Sequence, residues 1–174
     1  YMPTHRENST KIALDLNKLN KRLQEINSLF IIKLHPFVLE FYKYTYNKLF
    51  SNIIFHNANG DIYHLLKYVD VLVSDYSSIV YDFLLLNKPI IFYNYDIDEY
   101  KKNVLLLFDY NEFSPGIKVE TQDELENSFL QENLYFKQRE KIKNLFFYKI
   151  AQNICSKNVI NKLLEGNRWI LQWY

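Results

Sequence analysis

The sequence predicts an α/β protein built on a doubly wound parallel sheet, and three observations support that fold class. Short apolar, β-branched segments alternate along the chain with segments of helical periodicity. The connections between them are short, as in units of strand, helix and strand. The strand segments are apolar throughout, which is typical of a sheet covered by helices on both faces. The predicted strands are residues 29–34, 52–56, 70–74 and 89–95.

Helices are predicted between and after these strands. Leu16, Leu19 and Leu23 recur at helical spacing. Residues 95–102 form a polar segment and 109–116 a loop, and from Thr121 the chain is predicted to be helical, starting with a capping box to Glu124. We expect a Rossmann-like domain over residues 1–120 and carboxyl-terminal helices over residues 121–174 packed on it. The predicted helices are residues 15–29, 37–50, 62–69, 79–86, 122–131, 134–150 and 154–164.

Composition excludes several classes of protein. The 174 residues with 48% hydrophobic content predict one globular domain with a buried core. A net charge of +1 gives no attraction to nucleic acid, so no nucleic-acid partner is expected. The single Cys155 excludes an internal disulfide and Cys-based zinc sites, and it fits a reducing cytoplasm. No His, Asp or Glu spacing suggests a metal, and no cofactor is expected.

The residues between strand 70–74 and the helix that follows form the most informative turn, Asp75-Tyr76-Ser77-Ser78. A helix start presents unpartnered backbone N–H groups and a partial positive charge, and serine hydroxyls add hydrogen-bond donors there. The turn is therefore suited to phosphate. Alternatively, Ser77 or Ser78 is only an N-cap, worth about 1 kcal/mol. The sequence has neither a GxGxxG nor a GxxxxGK[ST] motif.

Strand order places a ligand near this turn. Residues 1–4 read as the end of a strand with its loop, so we expect the sequence to begin inside a larger protein. In a sheet of order 3-2-1-4-5-6 the strand ending at Ser74 lies beside the first strand, and ligands bind where the order reverses. The expected crevice then lies between residues 3–6 and 75–78, with His35 nearby. Arg6, His35 and the two serines together suit a diphosphate.

Several segments together resemble one family, the CDP-glycerol glycerophosphotransferases, which are teichoic-acid and capsule polymerases of GT-B arrangement. The resemblance covers about residues 1–120, and its motifs are specific in combination although each alone is weak. The matching segments are residues 1–4 with Arg6, 32–36, Asp61 with 65–66, 70–78, 82–83, 87–93, Asp96 with 99–100, and 108–116.

This resemblance implies the carboxyl-terminal, donor-binding half of an enzyme that moves glycerol phosphate from CDP-glycerol to a polymer hydroxyl and releases CMP. The partners it implies are a polymer acceptor on a membrane lipid carrier and the amino-terminal half of the same enzyme. It also implies a peripheral position at the inner face of the cell membrane. The site residues it implies are His35 at the transferred phosphoryl group, Ser77 and Ser78 at the diphosphate, and Thr4, Arg6 and Asp75 lining the same pocket.

One departure from the family pattern leaves alternatives open. The family usually has an Arg-Gly pair where this sequence has Lys102 and Asn103, so one phosphate-binding cation is missing or is replaced by Lys101 or Lys102. A lysine supplies a point charge and not the bidentate contact that an arginine makes with phosphate. The alternatives are a transferase that uses CDP-ribitol or a sugar nucleotide, and a truncated nucleotide-binding module without catalytic activity.

Overall fold

The computed structural model describes residues 1–4, 12–35, 38–39, 50–56, 61–104, 108–131 and 134–147. Strands and helices alternate through the first part of the chain, and helices predominate after residue 121. In chain order the elements are α1 (Leu16–Glu25), β1 (Phe30–Ile32), β2 (Ile53–Phe55), α2 (Tyr63–Leu66), β3 (Leu72–Ser74), α3 (Ile79–Phe83), a 3-10 turn (Leu84–Leu86), β4 (Ile90–Tyr93), α4 (Ile97–Asn103), α5 (Tyr110–Phe113), β5 (Ile117–Val119), α6 (Gln122–Ser128) and α7 (Phe136–Phe146).

The strands are parallel and follow the predicted order. β2 pairs with β1, and β3, β4 and β5 pair in sequence. Tyr1 and Met2 join the two groups: the backbone N–H of Lys33 donates to Tyr1 O at 2.9 Å, and that of Met2 donates to Val73 O at 2.9 Å. Met2 also pairs in parallel with Ser74. If residues 1–2 are counted as the first strand, β1 is the second and β3 the fourth. The strand order is then 3-2-1-4-5-6, and it reverses between residues 1–2 and β3.

Helices cover both faces of the sheet, which confirms the doubly wound α/β class. On one face α1 and α6 pack on the strands, and on the other face α2, α3 and α7 do so. Alternate strand residues face opposite sides because side chains alternate along a strand. The first face buries Leu19, Leu23, Val73, Ile91, Tyr93 and Leu125, and the second buries Leu66, Leu72, Phe83, Ile90, Phe92 and Ile142.

All the predicted strands are present, but each is shorter than its predicted range. Local contacts explain where the helices begin and end. Asp15 caps α1 by accepting from the N–H groups of Asn17 at 3.0 Å and Lys18 at 3.1 Å. α1 stops at Glu25, before the predicted residue 29, and Asn27 follows with a φ of 48° that helix geometry does not allow. The helix predicted over 79–86 tightens into the 3-10 turn, so Leu86 is half-exposed and Leu84 is buried instead.

Three elements between β4 and α6 were not predicted: α4, α5 and β5. The segment predicted to be polar contains α4, which buries no residue and so leaves no apolar period to read, and the predicted loop contains α5. β5 follows the predicted loop and was not predicted, because its three residues are too few to show alternation. A Cβ on Gly116 would lie 2.1 Å from the backbone oxygen of Ile90, so β5 begins where the chain passes directly against β4.

The described helices after residue 121 pack on the sheet. The predicted capping box of α6 is confirmed: Thr121 Oγ1 accepts from Glu124 N at 3.3 Å, and Glu124 Oε2 accepts from Thr121 N at 3.1 Å. Arg139 of α7 is buried and donates to Asn87 Oδ1 at 3.3 Å, where the chain turns with a φ of 50°. The helix predicted over 154–164 and most of that over 37–50 lie outside the described residues.

Candidate functional site

Asp75, at the carboxyl end of β3, connects two loops at the point where strand order reverses. Its side chain is fully buried. The backbone N–H of Thr4 donates to both carboxylate oxygens at 2.8 and 3.0 Å, and Thr4 Oγ1 donates to Oδ1 at 2.7 Å. The N–H of Tyr76 donates to the same oxygen at 2.6 Å. This Asp75–Thr4 clamp fixes the loop after the first strand to the turn after β3.

Tyr76 anchors the turn on its other side. Its hydroxyl donates to Asp96 Oδ1 at 3.0 Å, and its ring stacks on Tyr100 of α4 with centroids 4.0 Å apart. Burial, together with the nearby Asp96 carboxylate, raises the pKa of Tyr76 far above its usual range. The hydroxyl therefore keeps its proton and remains a hydrogen-bond donor. Asp75 and Tyr76, the first two residues of the turn, are thus both held by side-chain hydrogen bonds.

Ser77 and Ser78 follow Tyr76 in the turn. Ser78 occupies the position before α3 and makes no capping hydrogen bond with its side chain. Among the described residues, neither serine hydroxyl has a hydrogen-bond partner. Asp82, one turn into the helix, accepts from the Tyr63 hydroxyl at 2.9 Å and is thus engaged on the α2 side. Ser78 is thus the N-cap residue by position but does not cap the helix through its side chain, so both hydroxyls can serve a ligand.

A cleft of about 230 Å³ opens beside this turn. Residues 75–78 form one wall, and α4, α5 and the end of β4 contribute aromatic side chains to the others. Asp75 and Asp109 are the acidic residues of the described lining, which contains no Lys, Arg or His. We call it the aromatic cleft. Its aromatic residues besides Tyr76 are Tyr81, Phe92, Tyr100, Phe108, Tyr110 and Phe113.

The predicted site residues are brought together in part. Thr4 contacts Asp75 directly, and Ser77 and Ser78 line the aromatic cleft with it. His35 follows β1 at the same edge of the sheet with an exposed side chain, but it does not line the cleft. Arg6 lies outside the described residues. The cleft opens on the β4 side of Asp75, whereas the predicted crevice lies on the side of the loop that contains Arg6.

Sequence reasoning missed the aromatic walls of the cleft. Tyr100 and Tyr110 line it, and Tyr110 also packs against a core cluster, so its burial alone does not mark it as part of a site. A signal was present in the repeated Asp-Tyr pair, because residues 75–76 and 109–110 carry the same two side chains after apolar runs. Within the described ranges, no group of three or more His, Cys, Asp or Glu residues could hold a metal ion.

Comparison with known proteins gives the family. Residues 1–165 match the family model described as CDP-glycerol:poly(glycerophosphate) glycerophosphotransferase. The chain belongs to this family. The resemblance to the CDP-glycerol glycerophosphotransferases is therefore confirmed for this family member.

Named relatives of this family member are polymerases of teichoic acid. The chain is 33% identical over 172 residues to a teichoic acid poly(ribitol-phosphate) polymerase of Bacillus spizizenii, covering 94% of this chain and 27% of that protein. It is 31% identical over 175 residues to a teichoic acid poly(glycerol phosphate) polymerase of the same organism, covering 94% and 43%. The chain thus spans less than half the length of either relative.

A solved structure agrees with the fold of this family member. The wall teichoic acid polymerase TagF superposes with a TM-score of 0.74 at 22% identity, over 95% of this chain and 42% of TagF. The Rossmann-like parallel sheet is therefore the shared fold. No helix in the described part of the chain is long and apolar enough to cross a membrane.

Proposed function

We propose that this chain is the donor-binding half of an enzyme that moves glycerol phosphate from CDP-glycerol to a hydroxyl of a growing teichoic-acid or capsule polymer. The observation that carries the proposal is the turn at residues 77–78. In a member of a glycerophosphotransferase family, it presents two hydroxyls that have no hydrogen-bond partner among the described residues, at the sheet edge where ligands of such folds bind.

The reaction needs positioning and charge stabilisation more than covalent chemistry. An acceptor oxygen attacks the phosphorus that carries glycerol and forms a new P–O bond, while the bond from that phosphorus to the bridging oxygen breaks. CMP leaves with the bridging oxygen, and the acceptor proton passes to a base on the acceptor side. N–H and O–H groups that are already in place before CDP-glycerol binds lower the barrier, because they need no reorganisation during the reaction.

Each site residue has a distinct part in this proposal. Ser77 and Ser78 donate to oxygens of the diphosphate. Asp75 has its oxygens occupied by Thr4 and Tyr76, so it positions the turn and does not contact the donor. His35 contacts the transferred phosphoryl group from the end of β1, and Arg6 supplies positive charge from the loop that follows Thr4.

The proposal extends to organisation and partners. Residues 1–120 are the nucleotide-binding domain, and residues 121–174 are helices packed on it, as α6 and α7 are in the described part. The amino-terminal half of the enzyme presents a polymer acceptor carried on a membrane lipid. The assembled enzyme then lies at the inner face of the membrane as a peripheral protein.

A second candidate donor is CDP-ribitol. The poly(ribitol-phosphate) polymerase of Bacillus spizizenii is 33% identical to this chain, slightly more than the poly(glycerol phosphate) polymerase at 31%. The Asp75–Thr4 clamp and the two serines serve either donor equally, because both contain the same diphosphate. Only groups that touch the polyol distinguish them.

Calorimetric titration of the purified chain tests the proposal. The ligands are CDP-glycerol, CDP-ribitol, CDP and a UDP-sugar. Saturable binding that prefers CDP-glycerol is the expected result, and preference for CDP-ribitol selects the second candidate. A folded chain that binds none of the four ligands refutes donor binding and supports a module that has lost its nucleotide site.

Serine variants test where the diphosphate lies. Replacing Ser77 and Ser78 together by Ala is expected to weaken binding by about 1–3 kcal/mol, because two donors to a charged group are removed. Ser51→Ala, an exposed serine before β2, is the control and should leave the affinity unchanged. Unchanged affinity in the double variant would place the diphosphate elsewhere.

A further inference from the structure

The proposed function directs the two ends of the donor to opposite sides of the turn. It places the diphosphate at Ser77 and Ser78, after β3, and the phosphoryl group that carries glycerol at His35, after β1. Since β1 and β4 lie on opposite sides of β3 in the sheet, the glycerol end points toward β1. The phosphate that carries the nucleoside then points toward β4. The aromatic cleft opens on this side, so it lies beside the nucleoside end of the donor.

The size and the walls of the cleft suit a nucleobase. Its volume of about 230 Å³ is below the roughly 300–1,000 Å³ of sites that enclose a drug-sized ligand, so it can take one end of the donor and not the whole molecule. Phe108 lines the cleft and is 43% exposed, and its ring stacks on Phe113 with centroids 4.9 Å apart. An exposed aromatic ring binds nucleobases by stacking, whichever base it meets.

Asp109, next to Phe108, supplies a hydrogen-bond acceptor at the cleft. One carboxylate oxygen, Oδ1, caps α5 by accepting from the N–H groups of Asn111 at 2.9 Å and Glu112 at 3.0 Å. The other oxygen, Oδ2, makes no hydrogen bond with the described residues, and the side chain is exposed. An N–H group that donates to this oxygen forms a charge-assisted hydrogen bond, which is stronger than one between neutral groups.

Lys118 of β5 balances the charge of Asp109 without a hydrogen bond to this oxygen. Burial lowers the pKa of Lys118, and the Asp109 carboxylate opposes that shift because it attracts the ammonium group. The ammonium group donates to Ser114 O at 3.1 Å, and Lys118 is not part of the described cleft lining. Asp109 and Lys118 together have no net charge, which suits an uncharged ring in the cleft.

The polar edge of the base determines which ring this carboxylate oxygen accepts. Cytosine carries an exocyclic amino group, a hydrogen-bond donor that Asp and Glu recognise in nucleic acids. Uracil carries a carbonyl oxygen at the same position, and its ring N–H group lies between two carbonyl oxygens. These oxygens repel a carboxylate. A cleft with Asp109 at its edge therefore favours cytosine over uracil.

We propose that the aromatic cleft receives the nucleobase of the donor and that Asp109 selects cytosine by accepting from its exocyclic amino group. Phe108 supplies the stacking surface. The inference rests on the proposed function, because the diphosphate at Ser77 and Ser78 and the phosphoryl group at His35 set the direction of the donor. It leaves the polyol outside the cleft, so CDP-glycerol and CDP-ribitol are recognised there in the same way.

Binding of CDP and UDP to the full chain, measured by calorimetry, tests the role of Asp109. The parent chain is expected to bind CDP about 10-fold more tightly than UDP, as one base-selective contact allows. Asp109→Asn keeps the size and the capping ability of the side chain but loses its charge, and its amide can turn an NH₂ group toward a carbonyl oxygen. We expect this variant to bind CDP about 10-fold more weakly and UDP at least as tightly as the parent does.

Glu112→Gln is the matched control, since it lies in the same short helix but outside the cleft, and it should keep the preference for CDP. Equal losses of CDP and UDP affinity in Asp109→Asn, an unchanged preference in that variant, or a parent without preference would overturn the assignment. A folded parent that binds neither nucleotide refutes the proposed function itself. Asp109→Ser, which also caps helices, is the second variant if Asp109→Asn does not fold, and it should weaken the binding of CDP alone.

Discussion

Replacing Asp75 by Asn tests whether the buried carboxylate organises the turn. The substitution keeps the size of the side chain and one acceptor oxygen. That oxygen can still accept from Thr4 and Tyr76, but the bonds become neutral. Three hydrogen bonds to a carboxylate each lose about 1 kcal/mol when the acceptor loses its charge, about 3 kcal/mol in total. The new NH₂ group also faces the Thr4 N–H, 3.0 Å from the replaced oxygen, so two donors oppose each other.

We therefore expect Asp75→Asn to lower the free energy of unfolding by at least about 3 kcal/mol, a large fraction of the 5–15 kcal/mol typical of a domain. Urea denaturation followed by circular dichroism measures the change. Asp98→Asn, an exposed carboxylate in the first turn of α4, is the matched control and should stay within about 0.5 kcal/mol. A loss below about 1 kcal/mol in Asp75→Asn would refute the clamp as an organising contact.

Thr4→Val separates the parts of the clamp. It removes the hydroxyl, which donates to Asp75 Oδ1 at 2.7 Å, and leaves the backbone N–H in place. One lost bond to a charged acceptor costs about 1.5–3 kcal/mol. In the Asp75→Asn background the same substitution should cost less, because the acceptor is already neutral. Strictly additive losses would mean that the two side chains act independently.

Three further predictions concern the frame around the site. Gly116→Ala should lower the melting temperature, since its Cβ would overlap Ile90 O at 2.1 Å, at a cost of about 2 kcal/mol or more. Thr121→Ala should cost about 1 kcal/mol in urea denaturation, whereas Thr121→Ser keeps the capping bond and should cost little. Burial raises the pKa of Tyr93 from 10.0 to about 12. The neutral Tyr93 side chain contributes its full stabilisation below about pH 10, and this contribution is lost as the pH rises to about 12. Tyr93→Phe should therefore flatten the fall in the free energy of unfolding over that range.

The central sheet and the turn could be predicted because each depends on local pattern. The run before Asp75 and the polar turn after it mark the end of a buried strand in any α/β protein. The order 3-2-1-4-5-6 then places the first segment beside β3, and the bond from Met2 N to Val73 O confirms it. Thr4 and Asp75 were expected in one pocket for that reason.

The aromatic cleft could not be predicted because it depends on how helices dock. Periodicity shows that Tyr100 and Tyr110 are aromatic residues on short segments, but not whether a core or a cavity lies opposite. β5 is similarly hidden: its position is fixed by the close approach of Gly116 to β4, a contact between residues 26 positions apart in sequence. Such contacts leave no local period.

The hydrogen bonds that Asp75 already accepts give it a different role from that of Ser77 and Ser78. A carboxylate that acts as a base or binds a ligand needs a free lone pair within reach. Asp75 instead accepts from Thr4 and Tyr76 and is fully buried. Its carboxylate therefore holds two loops together. Within residues 75–78, the proposed contacts to the donor are therefore the hydroxyls of Ser77 and Ser78. A site of this kind acts by presenting fixed donors, so loss of Asp75 should weaken ligand binding through the turn even where both serines remain.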